Sequence, residues 1–170
     1  MLNEISFRPL TDEDKAELAE EYLRLSPKSR RARFIMPPTH LSKDWLVKLV
    51  DNVDGVNHIA LVASVSDGDT EVNIAIGRLI RFPQNREIAD VAVTVKDDFQ
   101  GRGVGPLLVK NLLKEAAKDA PIKMIETEIQ VGNRASEKML CAVGEINARE
   151  SSMGSTSISV RVNDSTYLMM

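Results

Sequence analysis

Residues 91–118 read VAVTVKDDFQGRGVGPLLVKNLLKEAAK, and the fold hangs on this stretch. A run of β-branched residues meets a polar turn with glycines at alternating positions: Gly101, Gly103 and Gly105. A helical pattern follows over residues 105–119. Leu108, Leu112 and Ala116 recur every fourth residue, as do Val109, Leu113 and Ala117, while Lys110, Lys114 and Lys118 mark the wet face. The stretch therefore reads strand, glycine turn, helix. A helix start leaves backbone N–H groups unpaired and carries partial positive charge. Glycine permits positive φ and lets a ligand approach the backbone closely. Together these features make an anion pocket suited to phosphate. Arg102 adds a cation, and Pro106 suits a first helical turn, where its missing N–H does no harm. The bland alternative is a turn whose glycines serve only tightness.

Two common phosphate motifs fail. A nucleotide-binding P-loop ends in Gly-Lys-Ser/Thr, whereas this turn ends in Gly105-Pro106. A dinucleotide fingerprint needs Gly or Ala where Pro106 stands, and it opens the first βαβ unit rather than following several strands.

Outward from the turn, residues 87–95 predict the preceding strand and residues 122–129 the following one. Upstream, residues 58–65 (HIALVASV) and 71–82 (EVNIAIGRLIRF) form a hairpin through SDGDT. Residues 5–8 predict a short strand. Thr11 and Asp14 predict a helix start, with the helix running to Leu25 and stopping before Pro27. Residues 29–34 carry the basic run RRAR without an assigned element. Residues 42–50 predict a second helix, and Asp54-Gly55 a turn. Downstream come a helix over 134–143, a strand over 145–149, a polar loop over 151–157 and a weak last strand over 158–162. The Met169-Met170 end reads as a frayed tail. This order predicts an α/β (α+β) fold with a mixed sheet of six to seven strands and helices packed on it. The expected organisation is one domain over 1–170, with its core at about 4–150 and a strand and tail over 151–170.

Composition narrows the function class. A net charge of −3 with interspersed signs excludes a general nucleic-acid binder. No apolar run approaches the roughly 18 residues that span a membrane. The opening MLNEISFRPL lacks the basic start and apolar run of a signal peptide. The single cysteine, Cys141, allows no internal disulfide, so a cytoplasmic location is expected. No histidine is placed to activate it, and it is expected in the core. His40 and His58 are the only histidines, so no metal site is expected.

Gln100 to Gly105, QGRGVG, resembles the Q/R-x-x-G-x-G/A signature of the GNAT superfamily of acyl-CoA-dependent N-acetyltransferases. The segment ADVAVTVKDDFQGRGVG resembles its bacterial protein-lysine acetyltransferase branch, as does the opening FRPLTDEDKAELAEEYLRLSPKSRRARF. NRASEKMLCAVGE, residues 133–145, is similar to the superfamily's asparagine-to-GF segment. The resemblance implies a splayed central strand pair and acetyl-CoA as co-substrate. It assigns the diphosphate to the backbone of Gln100, Gly101, Arg102, Gly103, Val104 and Gly105. The pantetheine arm falls to Val93, Thr94 and Val95, paired as an added strand. Asn133 matches the family asparagine that contacts the cofactor arm, with Ser136 one turn on as a helper.

The implied reaction is attack of an amine on a thioester. A free lysine has a pKa of about 10.4, so a base within reach assists. Strand alternation puts Ala89, Val91, Val93 and Val95 on one face and Ile88, Asp90, Ala92 and Thr94 on the other. The branch usually has glutamate at the position of Asp90, which makes Asp90 the candidate base, acting through water. The structural alternative pairs Asp90 with an arginine such as Arg78. Glu87 and Glu126 rank behind it. Leu140 stands where many members have a tyrosine acid, and Glu145 where they have phenylalanine. RRAR suits an acidic partner, the adenosine 3′-phosphate or simply a solvated face. Trp45 and Phe34 suit core packing or the acceptor cleft. The acceptor is a primary amine, either a protein lysine or a small molecule, bound by loops such as 26–42 and 151–157. The alternative function is an acyl-CoA-binding module with little chemistry. Oligomeric state is open, a homodimer among the choices.

Overall fold

The computed structural model describes residues 4–168. Its centre is a seven-stranded sheet in the order β1-β2-β3-β4-β5-β7-β6. The strands are β1 (Ile5–Pro9), β2 (His58–Asp67), β3 (Thr70–Phe82), β4 (Asn85–Val95), β5 (Met124–Gln130), β6 (Gly144–Ser152) and β7 (Ser155–Val162). Every pairing is antiparallel except β4 with β5, which is parallel and holds at only two positions, Ile88 with Met124 and Ala89 with Ile125. Beyond Ala89 the two strands diverge. The sheet is thus a four-stranded half and a three-stranded half, joined at one end of β4 and β5.

The helices are α1 (Lys15–Arg24), α2 (Pro27–Arg33), α3 (Lys43–Leu46), α4 (Val104–Ala117), α5 (Arg134–Cys141) and α6 (Ser165–Leu168). A 3₁₀ turn, Asp12–Asp14, leads into α1, and a π-helical turn, Val47–Asp51, extends α3. On one face of the sheet, α4 buries Leu108, Val109, Leu112, Leu113 and Ala116 against Leu61, Ala63, Leu79, Ala89 and Val91. Gly77 of β3 makes this approach possible, because a Cβ there would lie 2.8 Å from Leu108 Cγ and 2.9 Å from Leu112 Cδ1. The opposite face carries a second cluster, in which Tyr22, Leu25, Leu41, Leu49 and Val50 cover Ala60 and Val62. Strand alternation sends successive residues of β4 to these two faces. Ala89 and Val91, grouped on one face by alternation, both face α4.

Several expectations need correction. Residues 27–33, left unassigned, form α2. Ser26 accepts from the Ser29 amide and Pro27 occupies the first turn, a signal present in the sequence. The expected loop over 151–157 is largely the β6–β7 hairpin, with only Met153-Gly154 between the strands. The weak last strand is β7, which lies between β5 and β6. Cys141 is exposed rather than in the core. Its helix turns Leu140, 1% exposed, inward, and the next residue then faces out. Glu145 lies exposed on the edge strand β6, so it leaves the core undisturbed. Met169-Met170 lies outside the described residues. No helix is long and apolar enough to cross a membrane among those residues.

Candidate functional site

The glycine turn has the expected backbone. Gly101 (φ +72°) and Gly103 (φ +81°) occupy the left-handed region, where a side chain is strained. Gly103 precedes α4 and offers no side-chain cap. Among the described residues, the amides from Gly101 to Gly105 find no acceptor in the protein. Gly105 sits against Met139 of α5, whose Sδ would lie 3.2 Å from a Cβ there. The turn therefore presents uncapped donors at a helix N-terminus, the chemistry a diphosphate needs. Arg102 is exposed, its guanidinium 5.4 Å from the Phe99 ring centroid.

Gln100 behaves differently. Its amide donates to Asp97 O (3.3 Å), and its carboxamide donates to Val95 O (3.0 Å), Ser29 Oγ (3.0 Å) and Asp97 Oδ1 (3.2 Å). Asp97 also accepts from Ser29 Oγ (2.6 Å) and the Ser26 amide (3.1 Å). Hydrogen bonds from Ser29 and Ser26 hold the Asp97 carboxyl below the ordinary carboxylate range, against the upward push of burial. These bonds tie the start of α2 to the glycine turn. Gln100 is thus a structural clasp more than an open donor.

The divergence of β4 from β5 leaves backbone facing a gap. Val91 O accepts from Thr127 Oγ1 (3.2 Å), and Val95 O from Gln100 Nε2. By alternation the N–H and C=O of Val93 point the same way, between those two closures. This is an edge able to receive an extended, amide-bearing chain. Asn133 caps α5, its Oδ1 accepting from the Ser136 amide (3.1 Å), while its buried Nδ2 has no partner among the described residues. A buried amide donor without an acceptor suits a ligand carbonyl. Ser136 contributes its amide to that cap.

Asp90 lies on the opposite face of β4 from Val93. It is half-buried and lines a cleft of about 490 Å³ together with Phe82, Glu126, Thr127, Glu128 and Arg149. Among the described residues it makes no hydrogen bond and no ion pair within 4 Å. The alternative pairing with Arg78 does not form. Arg78 sits opposite Ala92 in the β3–β4 register, donates to Leu49 O (2.6 Å) and contacts His58 Nε2 at 3.4 Å. The charge that reaches Asp90 belongs to Arg33 of α2, which sequence reasoning placed only in a basic run. Glu87 is paired with Lys123 (2.8 Å), while Glu126 shares the Asp90 cleft.

The remaining residues resolve simply. Leu140 is buried in the α4-side core. Tyr22 donates to Pro38 O, and burial raises its pKa. Tyr167 donates to Ile122 O (2.6 Å), and burial pushes its pKa up to about 12. Neither phenol is poised to protonate a leaving group. Phe34 packs edge-on between Tyr22 and Trp45, with ring centroids 5.6 and 5.3 Å away, at the partly buried margin of the second core cluster. RRAR is not a solvated face throughout: Arg30 donates to Tyr22 O (3.1 Å), and Arg33 lies 4.4 Å from the Phe34 ring centroid.

Residues 4–144 match the acetyltransferase (GNAT) domain family. An acetyltransferase of Pseudomonas aeruginosa is 29% identical over 146 residues, covering 86% of this chain and 77% of that protein. Acetyltransferase Pat of Mycolicibacterium smegmatis is 30% identical over 121 residues, 71% of this chain, which spans only 34% of that relative's length. The solved GNAT domain of S. lividans PAT is similar at a TM-score of 0.77 and 25% identity, over 92% of this chain and 89% of that one. A Salmonella typhimurium protein solved with acetyl-CoA shares the fold at a TM-score of 0.73 and 18% identity, over 95% and 96% of the two chains. With the family matched over most of its length and the fold shared from end to end, this chain belongs to the GNAT family of acetyltransferases.

Proposed function

We propose that this chain transfers an acetyl group from acetyl-CoA to a primary amine, with a protein lysine as the favoured acceptor. The observation that carries the proposal is the unpaired edge at Val93, set beside the uncapped amides of residues 101–105. One surface thereby offers donors for a diphosphate and a strand edge for the amides of a pantetheine arm. Asn133 Nδ2 supplies a further donor along that line. The co-substrate brings a thioester carbonyl; the remaining chemistry concerns the amine. Its proton must leave before the N–C bond forms and the C–S bond breaks. Asp90, without a partner and open to the cleft, accepts that proton through a water. Glu126 and Glu128 line the same cleft and favour a cationic acceptor such as a lysine ammonium. The thiolate leaves with water as its proton source, since Leu140 occupies the family's usual acid position.

The test uses acetyl-CoA, lysine peptides and small amines, with release of CoA thiol as the readout. A Cys141→Ser background removes the exposed protein thiol. Turnover is expected, and Asp90→Asn should lower kcat/KM by about 10²-fold or more while CoA affinity holds. If CoA binds and no amine is turned over, the chain is an acyl-CoA-binding module, the reading that the buried Leu140 favours.

A further inference from the structure

A second cavity, of about 90 Å³, lies under α1 and α2 on the Asp90 face of the sheet. Tyr22, Phe34 and Thr94 line it, and two guanidiniums, Arg33 and Arg78, project to it; the carboxylates on its wall are engaged by other groups, Asp14 by Arg8, Glu17 by Asn73 and Glu21 by Lys96. At roughly 30 Å³ per water, it has room for a carboxylate with one or two methylenes. Arg78 is only 3% exposed. Its Nη1 is committed to Leu49 O and His58, but its buried Nε has no partner among the described residues. No bond from Nη2 is found there either. Nε and Nη2 form one edge of the guanidinium, the fork that receives a carboxylate through two parallel bonds. Arg33 makes no ion pair within 4 Å among the described residues, and its charge acts on both Arg78 and Asp90. The Arg33 charge thus reaches Arg78, while the only acid that acts on Arg33 among the described residues is Asp90. Burial drives Arg78 down to about 9, and the Arg33 charge adds to that fall, as expected of a cation lacking counter-charge. Leaving a buried guanidinium edge unpaired is costly unless something else completes it.

We infer that this cavity is a carboxylate subsite, in which the Nε edge of Arg78, backed by Arg33, holds an anionic group carried by one of the two substrates. The inference rests on the acyltransferase reading and names the substrate class of that site. Arg78 lies opposite Ala92, between Asp90 and Thr94, on the same strand pair as the candidate base. The carboxylate has two sources: the end of a dicarboxylic acyl chain such as succinyl, or an acid next to the amine of the acceptor. The acidic cleft beside Asp90 already suits the cationic acceptor, which favours the acyl source. The bond changes are unaltered. The C–S bond breaks, the N–C bond forms, the amine proton leaves to the base, and the carboxylate takes no part.

The test compares succinyl-CoA with acetyl-CoA on one lysine peptide, and a peptide with glutamate beside the lysine against its glutamine counterpart. Wild type, Arg78→Met, Arg78→Lys and Arg33→Gln are each assayed by kcat/KM, and CoA affinity is measured separately by calorimetry. One carboxylated substrate should be preferred by about ten-fold or more, and the preference should collapse in Arg78→Met and Arg78→Lys while CoA affinity stays unchanged. The pair that shows the preference identifies the source. CoA binding with no carboxylate preference beyond two-fold, or a preference that survives in the Arg78 variants, overturns the subsite and leaves the transferase reading standing. Succinate alone separates the two readings further. If CoA does not bind, yet succinate raises the Tm of wild type and not of Arg78→Met, the transferase reading falls and the subsite stands. If neither ligand shifts Tm, both fall. Arg33→Gln, at a half-buried surface position, keeps the test valid should the Arg78 variants misfold.

Discussion

Asp90 shows what a single position carries in this fold. Alternation along β4 alone put it on the face opposite Ala89 and Val91, and in the structure those two pack under α4 while Asp90 lines the cleft on the other side. The charge that acts on it was not readable, because it comes from a helix distant in sequence and not from the neighbouring strand, where Ile80 stands opposite Asp90. Arg78 is drawn away by Leu49 O and His58, and Arg33 arrives from α2. Cys141 failed for a related reason: a one-residue step on a short amphipathic helix moves a side chain from core to solvent. Leu140, on the inward side of that step, carries a prediction of its own. At 1% exposure it has no room for a phenol, so Leu140→Tyr should overpack the core. Chemical denaturation should show a loss of about 1–3 kcal/mol, with no gain in turnover. A gain in kcat without loss of stability would show that the position reaches the leaving group.

At the scale of elements, the order strand, glycine turn, helix was readable, because its signals are local: β-branched alternation, closely spaced glycines, a fourfold apolar repeat; the 3₁₀ turn Asp97–Phe99 between strand and glycines was not foreseen. The β6–β7 hairpin was not, because its strands are rich in serine and lie toward the sheet edge, where one polar face suffices. α2 was missed despite Ser26-Pro27, since four of its seven residues are basic and none is buried. The packing of α4 on the sheet depends on a residue that sequence alone would treat as a defect in a strand. Gly77 leaves no gap between β3 and the Leu108–Leu112 ridge. Gly77→Ala should therefore cost about 1–3 kcal/mol by denaturant unfolding, against the gain usually expected for Gly→Ala in a strand. An unchanged midpoint would mean that α4 shifts freely.

For the molecule as a whole, acid sensitivity follows from three groups. His58 is held below its ordinary value near 6.5, first by burial and then by Arg78, with Asp54 and the Asn52 backbone opposing. The unfolded chain then takes up that proton first, so stability falls as pH drops through about 6.5. Asp14 is held low first by its bidentate bond from Arg8, at 2.9 and 2.7 Å. Asp54, against the push of burial, is held low by the amides of His58, Val56 and Asn57. Both carboxylates contribute above about pH 4 and lose their contribution as pH falls further. Urea midpoints from pH 7.5 to 3 should show two successive declines, and His58→Gln should remove the first. A single decline starting below pH 5 in wild type would refute the role of His58.

The fan-like opening between β4 and β5 makes this sheet a hinged book. The two rungs at its spine, Ile88–Met124 and Ala89–Ile125, join the covers, with the Lys123 amide on Glu87 O and Thr127 Oγ1 on Val91 O to either side. A long guest laid between the pages would act as a binding thread. Deuterium uptake at Val93 and along Thr127–Gln130 should drop together when CoA is added, while β1 and β2 exchange as before. Slowing on one cover alone would mean that the guest rests on a single page and does not stitch the halves.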